Sequence, residues 1–214
     1  MIRSILMAIT PLVLFASAAS AQLESPCVQD SPERRGELGC SVVEIKPLPS
    51  RLARSLVWHI DRFDTEQHAR AAVTPTSIAF QAHGSWWLSS VEPHTRDHHG
   101  GKHVAEVKLP PLPAAEGYSM LVISAYVAPG LTSRIHTHSG VEGFYVVDGA
   151  QCLETEARAD TMKKGQGLAV AAGVTMRLVA IGPVPRRALA VVVYDASKPP
   201  TTRMETGPPL VSCN

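Results

Sequence analysis

The run from Gly130 to Gly149, GLTSRIHTHSGVEGFYVVDG, sets two histidines and a glutamate around a short turn between apolar segments. His136 and His138 are two residues apart, so on a strand both imidazoles leave the same face and can share one ion. Glu142 follows after Ser139 and Gly140 turn the chain, and antiparallel pairing across a short hairpin is expected to bring it back beside the histidines. Two imidazoles and a carboxylate on one side of an ion leave the remaining coordination positions open. That donor set suits non-haem Fe(II) and also serves catalytic zinc. Phe144 and Val146 share the strand face of Glu142 and are expected to line the same cavity. Arg134 shares the face of His136 and could orient a carboxylate or phenolate beside the ion. Tyr126 and Tyr145 carry hydroxyls suited to proton transfer if they point inward, but strand parity sets Tyr145 opposite Glu142. Tyr194 reads as structural.

The elements that must position these residues read as strands. Between Tyr118 and Ala196 the runs YSMLVISAYVA, SRIHTH, EGFYVVDG, AQCLETEA, GLAVAA, TMRLVAI and RALAVVVYD are rich in Val, Ile and Leu. They recur about every ten to twelve residues with Gly, Pro or Asp between them, the pattern of an antiparallel sandwich or barrel. Upstream, SLVWHI, SIAFQA, SWWLSSV and HVAEVKL form a second strand-rich block, and DTEQHARAA is the one stretch suited to a helical turn. Trp86 and Trp87, adjacent on a strand, must point to opposite faces. The organisation expected is a leader over 1–21, an extended lead-in over 22–54, a strand-rich extension or degenerate half-barrel over 55–113, a barrel over 114–198 and a Pro-rich tail over 199–214. The fold class is all-β.

The first motif, Gly130, five residues, His136-x-His138, three residues, Glu142, six residues, Gly149, resembles the first motif of the cupin superfamily with every spacing met. The resemblance implies a double-stranded β-helix, or jelly roll, in which His136, His138 and Glu142 face inward as metal ligands. One divalent ion is implied, Fe(II) first, with Zn, Mn, Ni or Cu as alternatives. The second motif of that family matches only in part. Gly165 and Gly173 fit, but Ala171 replaces a proline, Met176 stands where the family has a fourth ligand histidine, and Ala180 replaces an asparagine. Met176 and Leu178 are expected to line the cavity, and a neutral thioether is a poor ligand for Fe(II). The resemblance points to dioxygenase-like or lyase/isomerase chemistry on a small organic molecule, with a non-catalytic small-ligand or metal-binding module as the alternative. It also implies association of two copies as a homodimer.

Composition narrows the partners. The 214 residues carry 20 Lys plus Arg against 19 Asp plus Glu, and no basic run is interleaved with aromatics, so nucleic acid is excluded as an expected partner. The N-terminus, MIRSILMAITPLVLFASAASA, has Arg3, an apolar stretch shorter than the ~20 residues of a membrane-spanning helix, and small residues suited to cleavage before Gln22. Secretion or a periplasmic location is expected, with no membrane association after cleavage. In an oxidising compartment Cys27, Cys40, Cys152 and Cys213 can pair; a local Cys27–Cys40 bridge and a Cys152–Cys213 tie to the tail are the preferred pairings. The run EPHTRDHHGGKH holds His94, His98, His99 and His103 and reads as a solvated loop, or as a flap over the barrel mouth that lends the ion a further ligand.

Overall fold

The structure is a computed structural model that describes residues 28–29, 39–53, 55–93 and 101–213. The leader, Cys27, His94, His98 and His99 lie outside the described residues. Among the described residues no helix is long and apolar enough to cross a membrane.

The all-β expectation holds, and the double-stranded β-helix is formed by two facing sheets. One contains β1 (Val28–Gln29), β2 (Gly39–Pro47), β7 (Tyr118–Val127), β14 (Arg186–Asp195), β9 (Val141–Asp148) and β12 (Gly167–Val170), in that order. The other contains β11 (Ala159–Lys163), β10 (Ala150–Thr155), β13 (Met176–Ile181), β8 (His136–His138) and β15 (Thr201–Arg203). A third sheet, of β4 (Ser77–Ala82), β5 (Ser85–Glu92), β3 (Val57–Phe63) and β6 (Lys102–Lys108), comes from the upstream strand block.

Side-chain alternation along the central strands explains how the sheets stack. On β14, Ala190 and Val192 face the barrel interior with Leu121, Phe144 and Val146. Leu189, Val191 and Val193 face the other way, into a cluster with Trp58, Ile60, Phe80 and Trp87 of the third sheet. The six-stranded sheet is therefore apolar on both faces, the mark of a strand set covered on both sides. Trp58 anchors the outer layer. It is fully buried and its indole Nε1 donates to Ser89 Oγ at 2.7 Å. Gly143 makes room for it, because a Cβ there would lie 2.9 Å from the Trp58 ring.

Two segments add strands to the expected organisation. The 22–54 stretch is more than an extended lead-in, since β2 pairs with β7 inside the central sheet. The tail is more than a surface wrap, since β15 pairs with β8 in register Thr201↔His138 and Arg203↔His136. The Cys152–Cys213 disulfide fastens the end of that tail to β10. Cys40 is also disulfide-bonded. The helical turn appears as α1 (Glu66–Ala71), capped by Thr65, whose side chain accepts from the His68 backbone N–H. The two tryptophans do point apart: Trp87 is buried in the outer core, while Trp86 packs near Phe63 and Leu88 with the Arg70 guanidinium over its ring.

Candidate metal centre

His136 and His138 leave β8 on one face, as their spacing requires, and the rings meet edge to face with centroids 5.0 Å apart. Glu142 reaches them by a different route from the hairpin expected. β8 pairs with β13 and β15, whereas β9 pairs with β14 and β12. The Ser139–Gly140 turn is thus a corner between two sheets, and Glu142 meets the histidines across the barrel interior. Only glycine fits that corner: a Cβ on residue 140 would lie 2.0 Å from the Val193 carbonyl oxygen. One ligand atom from each of His136, His138 and Glu142 lies within 4.8 Å of the other two.

The hydrogen bonds around the triad set its chemistry. His136 Nδ1 lies 2.8 Å from the Arg134 carbonyl oxygen, and His138 Nδ1 lies 3.0 Å from that of Pro200. Each carbonyl can only accept, so each Nδ1 carries the hydrogen and each Nε2 presents a lone pair inward. Thr201 Oγ1 also sits 3.1 Å from His138 Nδ1. His138 Nε2 then faces Glu142 Oε2 at 3.0 Å, with both residues buried. Among the described residues neither atom has another hydrogen-bond partner. Two acceptor atoms held this close in a buried place call for a positive charge between or beside them, which a proton or a metal ion supplies. The donor set fits a divalent ion bound through His136 Nε2, His138 Nε2 and Glu142. Burial opposes a charge on His138, but Glu142 outweighs it and raises the pKa, so positive charge is favoured beside this carboxylate. On His136 burial prevails, aided by His138, and the pKa falls although Glu142 pulls it up.

The triad opens on a cavity of about 300 Å³ lined mainly by apolar groups, among them Leu121, Ile123, Phe144 and Leu178. Phe144 and Leu178 sit where the sequence places them. Val146 and Met176 do not line the cavity; both are buried with Leu153 and Met162 in the apolar cluster that fills the rest of the barrel. Met176 is opposite His136 in the strand register, but its thioether is part of this packing. Arg134 lines the cavity from an exposed position, and its carbonyl is what orients His136. Tyr145 is buried in the outer core, and burial raises its pKa. Tyr194 is buried in the inner core, and Tyr126 has the Arg187 guanidinium over its ring.

One functional side chain is not apparent from motif reading. Arg186 lines the same cavity, is 5% exposed, and donates through Nη1 to Gln151 Oε1 at 2.5 Å. Its Nε–H is buried without a hydrogen-bond partner among the described residues. Burial pulls its pKa down to about 10, against the opposing pull of Glu142, so it stays cationic at neutral pH. With Arg134 and Arg203 at the lining and Glu142 as the lining carboxylate, the cavity is positively charged overall. The available sequence signal is the phase of β14, where Arg186 keeps step with the small residues Ala188 and Ala190.

No family model matches the chain, and no curated protein matches it in sequence. Solved structures do match. A cupin-like protein from Thermotoga maritima is 16% identical with a TM-score of 0.35, the match covering 41% of this chain and 64% of that one. A conserved protein with a double-stranded β-helix domain from Klebsiella pneumoniae is 17% identical with a TM-score of 0.36, covering 46% and 83%. An oxalate oxidase in complex with the substrate analogue glycolate is 16% identical with a TM-score of 0.34, covering 40% and 45%. The match spans less than two thirds of the first of these proteins and less than half of the last.

Proposed function

We propose that this jelly-roll chain is a metal-dependent enzyme of the cupin type that acts on a small, largely apolar organic acid. The observation that carries the reading is the buried pair of inward lone pairs on His138 Nε2 and Glu142 Oε2, beside a cavity whose far polar group is the unpartnered Nε–H of Arg186. Three protein ligands leave coordination positions for substrate, and the fourth histidine of the family motif is not needed for that chemistry.

When bound, a divalent ion supplies Lewis acidity to a substrate oxygen, and Fe(II) adds access to dioxygen. The chain does the rest. Arg186 pairs with the carboxylate or phenolate of the substrate and is preorganised by Gln151. Leu121, Ile123 and Phe144 exclude water, which strengthens every charge interaction inside. The Arg134 and Pro200 carbonyls hold the imidazoles in the metal-binding tautomer. Glu142 balances the charge of the ion. Export of the mature chain belongs to the same reading.

The test is turnover by Fe(II)-loaded protein across a panel of aromatic, keto and hydroxy carboxylates, following oxygen uptake and product formation. Turnover that disappears in His136→Ala supports the reading. Acid binding without either signal assigns the chain to the alternative, a non-catalytic ligand-binding module.

A further inference from the structure

A second cluster of ligating side chains lies on the third sheet, away from the barrel interior. His59 on β3 and His103 and Glu106 on β6 hold one ligand atom each within 4.8 Å of the other two. In a regular strand, residues 103 and 106 point to opposite faces. The register here runs Ile60↔Ala105 and then Asp61↔His103, so Val104 is an extra residue on β6. That bulge turns His103 back onto the face of Glu106, and re-aiming a side chain in this way is a recurrent use of bulges beside sites.

The three groups are arranged as a ligand set. His103 Nδ1 lies 3.0 Å from Asp61 Oδ1, the carboxylate–histidine contact that fixes a tautomer, and this leaves Nε2 facing Glu106 Oε1 at 3.5 Å. His59 Nδ1 is 3.5 Å from the same Glu106 oxygen. His59 is 1% exposed, and among the described residues neither of its ring nitrogens makes a hydrogen bond. An imidazole buried with both nitrogens unsatisfied is costly unless something binds it.

We propose that His59, His103 and Glu106 form a second divalent-metal site, of the Zn(II) class by its donor set, that clips β6 to β3. β6 is the edge strand of its sheet and is bonded there to β3 alone, so a cross-strand ion adds a tie where the ladder is interrupted.

The test uses the full chain with the barrel triad disabled by His136→Ala and Glu142→Gln, titrated with Co(II) or Zn(II) by calorimetry and by the Co(II) visible spectrum. One equivalent is expected to bind. Adding His103→Ala and Glu106→Gln, both at side chains 42% exposed and so tolerable to the fold, is expected to weaken it more than about 100-fold. Asp61→Asn is expected to weaken it about 10–100-fold, as loss of an orienting carboxylate does. No binding in the barrel-disabled chain overturns the proposal, and so does binding that His103→Ala and Glu106→Gln leave unchanged.

Discussion

The barrel interior and the outer sheet each gather two histidines and a glutamate within the same span, yet around them the molecule differs. The barrel triad is drawn from two sheets, across a corner that only Gly140 can make, and it borders a cavity that holds a buried cationic side chain. The outer triad is drawn from one sheet face by a bulge, with an aspartate behind one histidine. A ligand set alone does not assign chemistry. Room for a second reactant, and a group to hold it, suit the first triad to the exchange and turnover proposed for it, whereas the role proposed for the second is to join two strands.

The largest effect should separate the triads most sharply. His136→Ala removes several kcal/mol of transition-state stabilisation, so kcat is expected to fall about 1000-fold or more, while His103→Ala leaves it within about threefold. Equal losses in steady-state turnover would break the distinction. Next is the Cys152–Cys213 bridge, which fastens the tail that carries Pro200 and Thr201 to His138. Replacing both cysteines by serine is expected to lower stability by about 4 kcal/mol in the chain-entropy model. Urea unfolding measures this, and metal affinity should weaken at the barrel site and not at the outer one. Arg186→Met is expected to cut kcat/KM for an acidic substrate about 100-fold, the scale of a lost charged hydrogen bond in a buried place. Binding of an uncharged analogue stays unchanged, because that ligand makes no pairing with the guanidinium.

The smallest effect concerns the joint between the two regions. His83, at the β4–β5 turn, places Nε2 3.2 Å from the Ala188 carbonyl oxygen of the barrel. Burial lowers its pKa despite that contact. A folded pKa below the unfolded value means that the unfolded chain binds more protons, so this contribution is complete above about pH 6.5 and is lost as pH falls below it. Urea midpoints at pH 7.5 and 5.5 should show His83→Asn losing less stability than the parent chain, by under about 1 kcal/mol.

Local spacing made the barrel triad legible: His136 and His138 share a face because any strand makes i and i+2 do so. The strand runs from Tyr118 to Ala196 were legible from their Val, Ile and Leu content and their regular spacing. What escaped reading depends on partners far along the chain. β15 is three residues of Thr and Arg, held only by pairing with β8, and β11 is a short polar strand held by β10. The route of Glu142 is set by which sheet β9 joins, which no local pattern states. His103 shares a face with Glu106 only through the bulge at Val104, and a bulge breaks the parity on which strand reading rests. The motif position of Met176 predicts a cavity residue, but that end of the barrel interior is filled and the side chain packs there.

Metal content of the chain bearing His103→Ala and Glu106→Gln, reconstituted with Fe(II) or Zn(II) and desalted, tests the barrel centre most directly. With the outer cluster removed, one tightly held ion per chain is expected, and it should vanish when His136→Ala is added. A chain that holds no ion, or holds one that His136→Ala leaves in place, contradicts the assignment of His136, His138 and Glu142 as a metal centre.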